Sequence, residues 1–119
     1  MQAEFLNTLT GAYPDCLIAA YADIETGVTL MTADGINVPR EALDELCAEA
    51  GLTLGKPDVP ALGSGQCDLA IKHVVHGLFV FLRAPDEPGE AYLFMCQQSI
   101  DLDSFLADAR STLPQSISA

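Results

Sequence analysis

The chain has 119 residues, with seventeen Asp and Glu against five Lys and Arg, a formal net charge of −12 that repels polyanions and argues against nucleic acid and anionic membrane surfaces as partners. Half of the residues are apolar and only 18% are charged, which excludes a disordered chain and implies a single domain over residues 1–119, burying roughly two thirds of the surface its unfolded form exposes. That apolar share is rich for a small monomer and points to a subunit interface. The acidic side chains are scattered rather than gathered in one run, as on a solvated surface.

The first residues, MQAEFLNTLTGAYPD, hold no basic stretch followed by a long apolar core, and no run approaches the ~18 apolar residues a membrane span needs. A cytoplasmic location is therefore expected. Residues 2–10 place Phe5, Leu6 and Leu9 on one face of a short helix expected to end at Gly11. Residues 16–22, CLIAAYA, are apolar without a break and predict a central strand. A turn at residues 24–27 leads to residues 28–32, VTLMT, a second strand that pairs back on the first.

The clearest helix follows. Pro39 suits its first position, Asn37 or Val38 its cap, and Glu41, Asp44 and Glu45 put negative charge near the positive end of the dipole. Leu43, Leu46, Cys47 and Ala50 fall at i, i+3, i+4 and i+7, and Gly51 is the expected stop. Such a stripe packs on a core more often than on a partner, and a helix between its own sheet and a second subunit would do both. Residues 52–66, LTLGKPDVPALGSGQ, read as an irregular connector; Gly63-Ser64-Gly65 lacks the lysine and the strand-loop-helix setting of a phosphate loop.

Residues 67–98 are the stretch around which the rest is organised. Residues 68–74 alternate, with Leu69, Ile71 and His73 on one face and Ala70, Lys72 and Val74 on the other, whereas residues 78–82 and 92–96 are apolar throughout. His76-Gly77 and residues 85–89, PDEPG, supply the reversals of a three-strand antiparallel meander. A last helix is expected over residues 100–113, capped by Ser99, with Leu102, Phe105, Leu106, Ala109 and Leu113 buried and Pro114 ending it before a frayed tail.

No catalytic motif stands out. Cys16, Cys47, Cys67 and Cys96 lie far apart with no CxxC pair, so they read as buried reduced thiols, with a disulfide or redox role the lesser alternative. His73 and His76, with Asp68 nearby, lack a further ligand at diagnostic spacing. Ser64, His73 and Asp68 carry no nucleophile elbow, and Asp23 and Glu25 flank a turn where acidic residues are ordinary. The chain is expected not to be an enzyme and to need no cofactor or metal.

The order α-β-β-α-β-β-β-α resembles the roadblock / dynein light chain family, whose members include a bacterial polarity protein that regulates a Ras-like GTPase. The resemblance rests on Pro14-Asp15-Cys16 entering the first strand, the hairpin ending Thr32-Ala33-Asp34-Gly35, the amphipathic helix from Pro39 to Ala50, the alternating strand from Asp68 to Val74 and the closing helix from Ser99 to Leu113. It departs in a connector rich in Gly and Pro and in a short first helix. The resemblance implies an α+β fold, a five-stranded antiparallel sheet with helices on its faces. It also implies a dimer made by the middle helix and third strand, through Leu43, Leu46, Cys47, Ala50, Leu69, Ile71 and His73. The expected function is a non-enzymatic interaction or scaffold module, its partners a second copy, another roadblock-like subunit or a small GTPase. The alternative is a profilin-like or PAS-like sensor with a small ligand between sheet and helix, for which Cys96, Tyr92 or Tyr21 would supply the polar group. A hydrolase or redox enzyme using Cys67 or His73 is the weakest reading.

Overall fold

The computed structural model describes residues 2–33, 38–54, 69–75, 77–85, 87 and 89–112. The expectations for Gly35, Asn37, Ser64, Cys67, Asp68, His76, Leu113 and Pro114, and for residues 55–66, lie outside them. Eight elements follow in the expected order: α1 (Gln2–Ala12), β1 (Cys16–Asp23), β2 (Val28–Thr32), α2 (Arg40–Leu54), β3 (Leu69–Val74), β4 (Gly77–Arg83), β5 (Glu90–Cys96) and α3 (Leu102–Thr112). The strands form one antiparallel sheet in the order β2-β1-β5-β4-β3. The uninterrupted apolar runs, β1, β5 and β4, occupy its interior, and the two weaker ones its edges, as burial on both faces requires.

Three layers result. α1 and α3 cover one face, where Phe5, Leu6, Leu9, Phe105 and Ala109 meet Tyr21, Val80, Tyr92 and Phe94. Phe105 stacks edge-on against both Phe94 and Tyr13 at 5.2 Å. Among the described residues α2 covers the other face, where Leu46, Cys47, Ala50 and Leu54 rest on Ala20, Ala22, Phe81, Ala91 and Leu93. The three alanines are small enough to let the helix lie close to the sheet.

The helix ends differ from the sequence reading, each for a local reason. α2 runs through Gly51 to Leu54. An interior glycine costs about 1 kcal/mol, but full burial of Leu54 returns about 1.5–3 kcal/mol. In addition, the buried Arg83 donates from Nη2 to the Leu54 carbonyl at 2.7 Å, satisfying one of the acceptors a helix end leaves open. Residues 52–54 thus belong to the helix rather than to the connector. Pro39 lies just before it, its carbonyl accepting from the Ala42 and Leu43 amides. α3 is capped by Asp101, not Ser99: its carboxylate accepts from the Ser104 amide at 3.3 Å and the Ser104 hydroxyl at 2.9 Å. α1 passes Gly11 by one residue, and the Tyr13 amide continues its bonding to Leu9. Gly77 lies inside β4 rather than in the reversal before it. A Cβ there would stand 2.4 Å from the Cys96 carbonyl oxygen, so only glycine admits this approach of β4 to β5.

Candidate functional site

Among the described residues, no group of three His, Cys, Asp or Glu is placed to hold a metal, and no helix is long and apolar enough to cross a membrane. Tyr92 and Cys96 are fully buried beneath α1 and α3, and Tyr21 is buried beside them. The Tyr21 hydroxyl donates to Glu90, and burial together with that carboxylate pushes its pKa above the usual phenol range. These three candidates for a ligand-holding group are therefore core residues on the face away from α2. His73 is exposed on β3.

A cavity lies on the α2 face instead. A groove of about 380 Å³ opens between α2 and the sheet, with Ile18, Phe79 and Met95 as its floor, Leu46 and Leu52 on its helix side, and Glu45 and Glu49 on its rim. The register explains the floor. Ile18 pairs with Met95, Met95 with Phe79 and Phe79 with Lys72, so one row of side chains crosses β1, β5, β4 and β3. Phe79 and Met95 are half-buried on this face. Leu52, 75% exposed, adds an apolar side chain to the helix wall. At its far end the row reaches Lys72, whose ammonium pairs with Glu49 at 2.7 Å and ties β3 to α2.

The sheet has two edges, and they differ. On β2 the register slips between Tyr21 and Ala22, leaving Leu30 as an extra residue, 48% exposed; such a bulge blunts an edge against pairing. On β3 all six residues pair in unbroken register with β4, from Leu69 opposite Leu82 to Val74 opposite Gly77. The Ala84 amide donates to the Glu90 carbonyl at 2.9 Å, so Leu82, two residues on, turns its backbone groups toward β5 and faces Leu69 as a non-hydrogen-bonded pair, and the pattern alternates along β3 from there. Leu69, Ile71 and His73 consequently turn their backbone donors and acceptors outward.

The residues expected at a subunit seam therefore fall in two places. Leu69, Ile71 and His73 line β3, the edge strand among the described residues, with Leu69 and Ile71 half-buried against the α1 and α3 side. Leu46, Cys47 and Ala50 are buried under α2 on the chain's own sheet, and Leu43 is half-buried beside them. The groove residues Ile18, Phe79, Met95 and Leu52 carried no signal in the sequence, since three sit in uniformly apolar runs and the fourth read as connector.

This architecture is shared with solved structures. A Roadblock/LC7 domain from Streptomyces avermitilis matches with a TM-score of 0.69 over 92% of this chain and 88% of that one, at 14% identity. The chain has the roadblock fold. A structure described as MglB with tetrameric arrangement matches at 0.66, with 12% identity over 91% of this chain and 79% of that one. MglC from Myxococcus xanthus matches at 0.63, with 12% identity over 93% and 92%. No protein-family model and no curated protein matches the sequence. The expected roadblock topology, five antiparallel strands between helices in the order α-β-β-α-β-β-β-α, is thus present at sequence identities that speak for the fold alone.

Proposed function

We propose that this chain is a non-enzymatic interaction module that pairs with a second copy along β3 and offers the groove beside α2 to a regulatory partner. One observation carries the reading: an unblunted sheet edge leads, through the Lys72 and Glu49 pair, into an apolar groove. Edge backbone groups left open invite another strand. On this reading Leu69, Ile71 and His73 form the seam, Leu43 flanks it, and Leu46, Cys47 and Ala50 anchor the helix beneath it.

The charges of α2 divide the work. Glu41, Asp44 and Glu45 are all exposed, so two copies meeting helix to helix would set like charges against each other. A partner carrying Lys or Arg around an apolar side chain fits the groove better. The resemblance to roadblock proteins makes a small Ras-like GTPase or another roadblock-like subunit the class to test. The sensor reading is less well supported, because the groove has a ligand-sized volume but lacks convergent polar groups on its floor.

Sedimentation at tens of micromolar tests the pairing: a mass of twice 12.6 kDa is expected, and a monomer overturns the proposal. His73→Pro removes an outward amide without touching the β3–β4 ladder, and should give a folded monomer. An unchanged dimer in that variant would move the seam elsewhere. Capture from a native extract, with a Leu52→Glu bait as control, identifies the groove's partner.

A further inference from the structure

Cys16 begins β1 and Cys96 ends β5, and the two face each other in the antiparallel register. The Gln97 amide donates to the Asp15 carbonyl at 2.8 Å, joining the residues immediately outside this couple. That bond makes it a non-hydrogen-bonded pair at the end of the ladder, just outside the register slip between Cys16 and Ile18, and in such pairs Cα atoms lie ~4.5 Å apart and side chains come closest. A disulfide bridges Cα separations of ~4.4–6.8 Å, so the backbone already stands within reach of one. Both thiols are free, and both lie on the α1 and α3 side of the sheet, Cys16 at 5% exposure and Cys96 at 0%. Cys16 Sγ donates to the Ile18 carbonyl at 3.5 Å. Hydrogen bonding to Cys16, followed by burial, pushes the Cys96 thiol up, and Cys16, the more exposed of the two, is the sulfur that a peroxide reaches first. Cys47 belongs to the opposite face and cannot compete.

We infer that Cys16 and Cys96 form a redox site, a thiol pair that a peroxide converts into a cross-strand disulfide. Cys16 gives up its thiol proton as its sulfur attacks one peroxide oxygen, the O–O bond breaks, and the departing hydroxide takes up that proton as water, leaving Cys16 as a sulfenic acid. Cys96 then gives up its proton and its sulfur displaces the hydroxyl of that sulfenic acid, which leaves as a second water. Two thiols and one peroxide become one disulfide and two waters, a two-electron oxidation. The bond staples the connection between α1 and β1 to the connection between β5 and α3, closing most of the chain into one loop and so restricting its unfolded state.

The reduced protein, treated with hydrogen peroxide, quenched with N-ethylmaleimide and cut without reductant, gives peptides that mass spectrometry can map. A cross-linked pair holding Cys16 and Cys96, lighter by two hydrogens and released by dithiothreitol, is expected. The thermal midpoint of the oxidised protein should rise by about 10 °C. A Cys67→Ser variant should oxidise as the natural chain does. Recovery of both cysteines alkylated from oxidised protein that keeps its circular dichroism overturns the inference, and so does a bond mapped to Cys67 or between chains.

Discussion

Three polar contacts mark where single side chains hold this fold. Tyr13, just after α1, donates its hydroxyl to Asp108 on α3, and that hydrogen bond, then burial and the carboxylate's charge, push its pKa up to about 12 from an ordinary 10. The neutral phenol is favoured by folding, so between about pH 10 and 12 the native state holds a proton that the unfolded chain has released. Stability from this contact is complete below pH 10 and falls as pH rises through that window. Tyr13→Phe should flatten this part of a urea-midpoint profile against pH, and an unaltered profile would show that the contact does not couple to folding. Arg83 is the one charged side chain buried among the described residues, and its bond to the Leu54 carbonyl closes α2. Arg83→Met keeps the length and removes the donor, and should cost about 1–3 kcal/mol in urea unfolding. The Asp101 cap is the third, replacing the serine two residues earlier that the sequence favoured. Both residues are good caps, and only the position where the chain leaves β5 decides between them.

At the scale of elements, each helix was legible through its stripe, because burial of one face repeats every 3.6 residues whatever the partner is. Phe5, Leu6 and Leu9 are buried on α1, and Phe105 and Ala109 on α3, as their spacing predicts. Phe105 fills the space between Phe94 and Tyr13, so Phe105→Ala should cost about 3–5 kcal/mol, read from denaturant midpoints; a loss below 1 kcal/mol would mean that α3 adds little to the core. The end of α2 was not legible, since a glycine's local cost was outweighed by a leucine and an arginine drawn from contacts far along the chain. The contrast between the two edges was equally hidden. β2 and β3 have similar lengths, yet the slip at Leu30 exists only in the pairing of β2 with β1.

For the whole molecule, net charge and the open edge act against each other. At −12, two copies repel, so self-association should tighten as salt rises, whereas a basic partner in the groove should bind more weakly. Titrations at low and at high ionic strength check both signs together. Leu52 stands mostly clear of its own domain, so Leu52→Glu should leave the unfolding midpoint within about 0.5 kcal/mol while weakening partner capture at least tenfold. Equal capture by both proteins would remove the groove from the docking surface.

Composition and periodicity were enough to establish the order of the elements and the buried face of each helix, because those properties depend on residues within a turn or two of one another. Tertiary structure alone decided that Ile18, Met95 and Phe79 share a floor, that the register slips on β2 and runs unbroken on β3, and that Cys16 meets Cys96. Each depends on strand register, which joins residues distant in sequence and leaves no period in the sequence to reveal it.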